Sequence, residues 1–258
     1  MEERKPILRY IDELRVRLIY VLVTIGGIAI FCFTFNIGEA RLSEYVIFYP
    51  YPDLFNSISA TVLNKLRYDL LPEGVKIIQV TPSQAISAEI YISIFLGILF
   101  GMPMIIYQFG KFVAPALYSH EKKMIAKIVL PSTFLFVAGC MFSYYMLTPF
   151  TLIFLYKYGF AIGAETFITI DEFVSFVSLF TCAFGLAFQL PIIMVLLSSV
   201  NVVEPKFWRD NFRIAVFLLC VFGAVITPDG SGITMFMVAL PMIALYVAGY
   251  MLARRKVK

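Results

Sequence analysis

The chain has 258 residues, of which 60% are hydrophobic, and its mean hydropathy is +0.86. A water-soluble domain of this composition could not cover its own apolar surface, so the composition excludes that class. The formal net charge of +4 comes from 21 Lys and Arg against 17 Asp and Glu. We attribute it to membrane topology and to attraction for anionic lipids, not to nucleic-acid binding.

Six long stretches of the chain contain no charged residue. A helix of about 20 apolar residues crosses a hydrocarbon core of roughly 30 Å, and a helix satisfies its own backbone polar groups. We therefore predict an all-α integral membrane protein, in a single domain over residues 1–258, with six transmembrane helices at about 18–37, 88–110, 126–156, 173–201, 212–227 and 231–253. Proline removes a helix bond and bends the axis, so we expect kinks and a concave bundle. The prolines concerned are Pro103, Pro131, Pro149, Pro191 and Pro241.

The basic residues are sorted by side of the membrane. Sixteen of the 21 Lys and Arg residues lie in the two terminal segments and in the second and fourth connections. The positive-inside rule therefore predicts a multi-pass protein with both termini in the cytoplasm.

The longest connection, residues 38–87, lies on the opposite, outer side. Nearly fifty residues with so much apolar content should be ordered, and we expect short helices that form a cap. Pro50, in a Tyr-rich stretch, is predicted to form a structural turn, and Val75–Val80 is a short β-branched run.

The fifth apolar run is unusually short. Ile214–Ile226 has about 13 apolar residues, and a tight turn containing Asp229 leads at once into the sixth run. We predict short fifth and sixth helices. Two explanations are equally favoured: the pair thins the bilayer locally, or polar flanks such as Asn211 and Arg213 snorkel and complete the span.

Residues that could perform chemistry are scarce. The sequence shows no nucleophile–base pair, metal cluster or phosphate loop, and its single histidine, His120, has no second ligand nearby. The four cysteines lie in apolar runs, where cysteine behaves as a small hydrophobe. We therefore expect no catalytic residue, no cofactor and no metal.

Three polar side chains stand out by their position. Glu13 and Glu121 are carboxylates on the otherwise basic cytoplasmic face, where each could bind a guanidinium through charge-assisted bonds. For Glu13, a pair with Arg9 or Arg17 of its own helix is the alternative that the spacing favours. Gln189 lies deep in the fourth run, where an amide bonds a neighbouring helix or lines a wet cavity.

Five motifs follow one another in the order of a known family. They are YIDELRVRL (10–18), FVAPALYSHEKK (112–123), FGLAFQLP (184–191), TPD (227–229) and ALP (239–241). Together they resemble TatC, the multispanning core subunit of the twin-arginine protein translocase, over essentially the whole chain. The 112–123 segment, similar to the family's first cytoplasmic loop, is the most specific. Tyr10 stands where the family has His.

The resemblance implies a function for the polar residues. Glu13 and Glu121 correspond to carboxylates that receive the twin-arginine motif of signal peptides, so the family reading reverses the preference for pairing within the helix. The same surface would include Arg15, Phe112, Pro115, Leu117 and His120. Gln189, at a position that is often Glu in the family, and Pro191 would contact a single-span partner subunit.

The resemblance also implies a setting. The family exports folded proteins across the cytoplasmic membrane of prokaryotes, driven by the proton-motive force, with TatA-type and in some organisms TatB-type subunits in an oligomeric complex. It is a receptor and assembly platform, not an enzyme. The alternative is a secondary transporter for a small solute, for which Glu89, near the outer end of span two, is the best candidate residue.

Overall fold

The structure is a computed structural model that describes residues 4–42, 45–113, 122–200, 202–227 and 232–256. Ten helices lie in these ranges: α1 Arg4–Thr34, α2 Ile58–Leu70, α3 Gln84–Val113, α4 Lys122–Phe142, α5 Thr148–Ala161, α6 Ile170–Ala187, α7 Leu190–Ser199, α8 Pro205–Asp210, α9 Phe212–Ile226 and α10 Gly232–Lys256. Four strands are found there: β1 Phe35–Leu42, β2 Tyr45–Pro52, β3 Lys76–Ile78 and β4 Phe167–Thr169.

The helices confirm an all-α multispan membrane fold. Within the described ranges, five helical stretches are long and apolar enough to cross a bilayer: Ile11–Thr34, Gln84–Phe112, Ile128–Ala161, Ile170–Ser199 and Gly232–Arg255. The sixth apolar helix, α9, has 15 residues, or about 22 Å of helix against a hydrocarbon core of roughly 30 Å. The prediction of a short fifth helix is therefore confirmed.

The prediction of a short sixth helix is wrong. α10 has 25 residues and extends into the basic C-terminal segment. The turn predicted from the sequence after α9 bears on where α10 begins but not on where it ends. The snorkelling explanation for α9 is not supported by Asn211, whose side chain donates to the Phe207 carbonyl of α8 (2.9 Å) and so ends that helix.

Two of the five prolines coincide with interruptions of the α-helical pattern. Between α4 and α5, residues Ser143–Leu147 form a π-helical turn, in which the Thr148 N–H bonds the Ser143 carbonyl, just before Pro149. Between α6 and α7, the helix breaks at Phe188 and Gln189, because Pro191 has no N–H for the carbonyl four residues earlier. The other three prolines lie inside unbroken helices.

The described residues of the connection 38–87 form regular elements, as predicted, but these are not purely helical. β1 and β2 form an antiparallel hairpin, α2 follows, and β3 pairs in parallel with β4. The predicted turn at Pro50 is wrong, because Pro50 lies within β2 opposite Ile37. Proline has no backbone N–H to donate to a neighbouring strand. Residues two apart in a strand face the same edge with this position, and β2 has one unpaired edge in a two-stranded sheet, so both Pro50 and Pro52 are tolerated there. The first span is correspondingly shorter than predicted, since α1 ends at Thr34.

A short capped segment joins the hairpin to α2. Asp53 accepts hydrogen bonds from the side chain and backbone N–H of Asn56 and from the backbone N–H of Phe55. These donors, the Asn56 side chain first, hold the pKa of Asp53 below its ordinary value. Ser57 then caps α2 by accepting the Ala60 N–H (3.1 Å).

The helices pack in two compact units, Met1–Pro115 with Glu165–Ser178, and Ala116–Ala164 with Leu179–Lys258. In the first unit, α1 packs along α3, and in the second, α10 packs on α7 and α9. The largest fully buried side chains include four phenylalanines: Phe136, Phe173, Phe180 and Phe184.

Candidate functional site

Glu13 lies at the N-terminal end of α1, in a small polar group with Arg17 and Gln108. Arg17 donates to Oε1 of Glu13 from Nε (3.0 Å) and also from Nη2. Its third nitrogen, Nη1, lies 3.5 Å from Oε1 of Gln108 on α3. The Glu13 and Arg17 side chains are 30% and 19% exposed, and Gln108 is buried. The pairing within α1 that the spacing favours is therefore present, extended to a second helix.

Both donors from Arg17 lie on the same oxygen of Glu13, Oε1. No donor among the described residues reaches Oε2 of Glu13. A carboxylate has about four acceptor positions, and a pair on Oε1 leaves Oε2 able to accept a further guanidinium N–H. Arg17 thus fixes the orientation of Glu13 without blocking the whole group.

A close helix contact holds this polar group together. A Cβ built on Gly97 of α3 would lie 2.6 Å from the Ile25 carbonyl oxygen of α1, a distance that only glycine permits. Arg17 precedes Ile25 in α1, whereas Gln108 follows Gly97 in α3, and yet Arg17 and Gln108 lie close together. The two helices are therefore antiparallel. The absence of a side chain at Gly97 therefore helps to bring Arg17 within reach of Gln108.

The other residues predicted for this surface are placed differently. Phe112 is half-buried and lies four residues after Gln108, on the same face of α3. Arg15 is exposed and lies two residues from Glu13, roughly 200° around α1 from it, so it does not join the group. Pro115, Leu117, His120 and Glu121, and the predicted turn residue Asp229, lie outside the described residues.

Gln189 is buried and bonded to the protein. Its Nε2 donates to the Ser132 carbonyl oxygen of α4 (3.0 Å). Close packing surrounds this bond, since a Cβ on Gly139 or Gly185 would lie under 3 Å from atoms of the facing helix. Pro191 is also buried, at the start of α7. The amide thus bonds a neighbouring helix, which is the first of the two alternatives for a polar residue in this span.

Glu89, the residue considered for solute transport, belongs to the outer cap. Its Oε2 lies 3.5 Å from Oγ of Ser57, which in turn lies 2.7 Å from Oγ of Ser59. Both serines are fully buried. Because Ser57 caps α2, this carboxylate contributes to attaching α2 to the N-terminal end of α3, near one end of that apolar helix and not at its middle.

Two polar features were not singled out from the sequence. Gln108 could have been recognised by the rule that identified Gln189, since it is an amide within an otherwise apolar run. Trp208, the single tryptophan, donates from Nε1 to Ser198 Oγ (3.0 Å), and its carbonyl accepts the Tyr246 hydroxyl (2.7 Å). Tryptophan and tyrosine are typical of the membrane interface, so this cluster marks the interface at the end of α7.

Comparisons with known proteins agree with the motifs. The family model described as "Sec-independent protein translocase protein (TatC)" matches residues 9–241. The "Sec-independent protein translocase protein TatC" of Cenarchaeum symbiosum (strain A) is 42% identical over 248 residues, which are 96% of this chain and 94% of that protein. The protein of the same name from Aquifex aeolicus (strain VF5) is 32% identical over 242 residues, which are 93% and 91% of the two chains.

The fold matches as well. The solved structure described as "Crystal Structure of Twin Arginine Translocase Receptor- TatC" superimposes with a TM-score of 0.78 and 29% sequence identity, over 96% of this chain and 100% of that one. Motifs, overall sequence and fold thus agree over nearly the whole length. The chain belongs to the TatC family of Sec-independent protein translocase proteins.

Proposed function

We propose that this chain is the receptor for twin-arginine signal peptides of folded cargo, and that Glu13 and Glu121 accept the two arginines. The observation that carries the proposal is that Glu13, whose side chain is 30% exposed, is bonded to Arg17 at one oxygen, while no donor among the described residues reaches the other. A related structure described as a twin-arginine translocase receptor supports it.

The chemistry favours a pair of carboxylates over a single one. Guanidinium groups form short, charge-assisted bonds with carboxylates, each worth more than a neutral hydrogen bond. Arg17 already offsets the charge of Glu13, so Glu13 alone would attract a dication weakly. The second carboxylate, Glu121, restores a negative charge to the receptor. Arg15, Phe112, Pro115, Leu117 and His120 would complete the surface that contacts the signal peptide.

The partner subunits would bind elsewhere. We assign Gln189 and Pro191 to contact with a single-span TatA-type or TatB-type subunit in an oligomeric complex. Nε2 of Gln189 is used by the Ser132 carbonyl, so the acceptor oxygen of the amide is the group left to bond a polar residue of the partner. A Gln at this position keeps hydrogen bonding without a charge.

The short helix α9 suggests how cargo crosses. A span of about 22 Å is shorter than a core of roughly 30 Å, and we infer that local thinning of the bilayer, rather than snorkelling of a flank such as Arg213, makes up the difference. Thinning would lower the barrier to a folded protein. The proton-motive force would drive the step, with both termini in the cytoplasm, in the inner or plasma membrane of a prokaryote, and with anionic lipids around the basic face.

Photocrosslinking tests the receptor assignment. Membrane vesicles containing the full chain are incubated with a twin-arginine peptide that carries a photoreactive residue beside the arginines. Glu121→Ala should abolish the adduct, and Glu13→Gln should reduce it by at least ten-fold, about the effect of one charge-assisted bond. Asp12→Asn removes an adjacent exposed acid of α1 and is the matched control, with a change below two-fold.

A charge exchange separates direct pairing from misfolding. Glu13→Arg should lose the wild-type peptide and regain a peptide in which Glu replaces one arginine. Undiminished crosslinking to a correctly inserted Glu121→Ala variant would overturn the assignment.

A further inference from the structure

A groove of about 480 Å³ opens in the second unit between α4, α7 and the end of α10. Its walls are mainly apolar and include Leu135, Ile192, Val195 and Leu252. The polar residues Ser199 and Arg255 also line it. Gly249 of α10 packs against Pro191 at the start of α7, and the lining residues of both helices continue from that contact in the C-terminal direction, so Ser199 and Arg255 lie at one end. The groove is therefore polar at one end and apolar along the rest.

We place the polar end at the level of the membrane interface because an aromatic cluster lies beside it. Ser198, next to Ser199, accepts the indole N–H of Trp208, whose carbonyl accepts the Tyr246 hydroxyl. Such amphipathic aromatic side chains lie at the headgroup level. From there, the groove follows α7 from Ser199 back to Pro191, eight residues or about 12 Å towards the centre of the bilayer. Its deep end therefore adjoins the partner contact proposed above for Gln189 and Pro191, and the lipid site itself lies between that end and Ser199.

The depth distinguishes between two kinds of occupant. One leaflet of a bilayer is about 15 Å thick in its hydrocarbon part, half of roughly 30 Å. A lipid chain anchored at the interface would fill a groove of this depth. A transmembrane helix of a partner would need an apolar surface about twice as long.

Charge complementarity indicates which lipid. Arg255 is exposed, and no carboxylate forms an ion pair with it among the described residues. A guanidinium at the interface, next to the Ser199 hydroxyl, offers donors to a phosphate group. The neighbouring Arg254 is exposed as well but does not line the groove.

We propose that this groove is a binding site for an anionic phospholipid, with one acyl chain between α4, α7 and α10 and the headgroup phosphate on Arg255. With the termini in the cytoplasm, as proposed above, the lipid belongs to the cytoplasmic leaflet. Only this choice of leaflet rests on the proposed function. A bound lipid would connect the three helices at the end of the second unit.

Native mass spectrometry of the delipidated full chain in detergent tests the site. The protein is titrated with phosphatidylglycerol and with phosphatidylcholine of identical chains. Arg255→Gln should weaken phosphatidylglycerol binding about five-fold, or ~1 kcal/mol, and leave phosphatidylcholine unchanged. Arg254→Gln, which removes the same charge outside the groove, should change neither lipid by more than two-fold. Equal losses in the two variants would overturn the proposal.

A second variant and a second readout test the acyl-chain part. Val195→Phe fills the groove and should weaken both lipids, whereas unchanged binding would show that the chain lies elsewhere. A photoreactive residue at Val195 in membranes should give lipid adducts, and a protein adduct instead would assign the groove to a partner helix and overturn the proposal. Neither assay uses a signal peptide, so failure here leaves the receptor assignment standing, and failure of the peptide crosslinking leaves the lipid site standing.

Discussion

Arg17 directs two guanidinium nitrogens to a single oxygen of Glu13. A symmetric bidentate pair would have used both carboxylate oxygens. In the Glu13–Arg17 pair, Oε1 accepts both bonds, and no donor among the described residues reaches Oε2. Sequence spacing predicts that the two side chains meet, but only the coordinates show which oxygens are used.

The first prediction is that the close contact between α1 and α3 at Gly97 cannot accept a larger side chain. Gly97→Ala would place a methyl group 2.6 Å from the Ile25 carbonyl oxygen, a backbone atom that cannot move aside alone. We expect a loss of about 1–3 kcal/mol of stability from overpacking, together with weaker signal-peptide crosslinking as Arg17 and Gln108 separate. Thermal unfolding in detergent measures the first effect.

Gly101→Ala is the matched control for this variant. It lies one turn further along α3, where an added Cβ would be 3.7 Å from the nearest atom, an ordinary contact. Its melting temperature should equal or exceed that of the wild type. If both variants melt alike, the close approach at Gly97 does not limit the α1–α3 contact.

The second prediction concerns the Gln189 amide. Gln189→Leu keeps the volume and removes the bond to the Ser132 carbonyl, so the stability should fall by about 0.6 kcal/mol, with an upper value near 1.7. Ser132→Ala keeps the backbone acceptor and should preserve the bond. Melting curves of the two variants, measured in the same detergent, compare them, and a larger loss for Ser132→Ala would contradict the bond as the source of stability.

The third prediction uses Trp208 as its own reporter. Ser198→Ala removes the acceptor of the indole N–H and should shift the fluorescence of this single tryptophan. Trp208→Phe breaks the same bond from the other side. Because the two changes remove one interaction, their effects on stability should be non-additive, with a coupling of 0.5 kcal/mol or more in a double-mutant cycle. Additive losses would show that the bond does not link α7 to α8.

The fourth prediction addresses the length of α9. Inserting seven apolar residues, about two turns, between Leu219 and Cys220 would give a helix of about 22 residues and roughly 33 Å. If a thinned bilayer assists transport, export of a folded substrate should fall at least ten-fold, while signal-peptide crosslinking remains. The measurement is substrate uptake into membrane vesicles.

The same seven residues inserted after Gly163 serve as the length control. Gly163 is exposed, in a turn with positive φ, and nothing lies within 4 Å of its Cβ position. Export should continue in this variant. Loss of export in both variants would mean that insertion itself, and not the length of α9, causes the defect.

The all-α multispan character of the chain follows from the sequence because the membrane imposes a simple rule on apolar runs. Uncharged runs of sufficient length become helices, and Pro149 and Pro191 coincide with breaks because a missing N–H has a local effect. The outer cap follows weaker rules. Proline at positions 50 and 52 argued against a strand, yet a two-stranded hairpin has a free edge that accepts both.

The candidate site is less predictable for a different reason. Glu13 lies four residues from both Arg9 and Arg17 on one helix, so spacing predicts a pair within α1 but does not choose between the two. Gln108 is 91 residues away from Arg17, and their contact depends on how closely α1 and α3 approach at Gly97. No local pattern specifies such an approach. Similarly, the length of α10 depends on its basic C-terminal end, which continues the helix beyond the apolar run, and not on the length of α9 before it.

The π-helical turn at Ser143–Leu147 changes which residues of α4 and α5 share a face of the third span. One extra residue in the turn rotates everything after it by about 100° relative to a continuous α-helix. The stripe of α5 that includes Thr148, Thr151 and Leu152, all buried, is therefore out of phase with the inward stripe of α4. The buried face therefore follows one helical phase in α4 and another in α5. Extending the α-helical period of α4 through the turn would assign the wrong residues of α5 to the buried face.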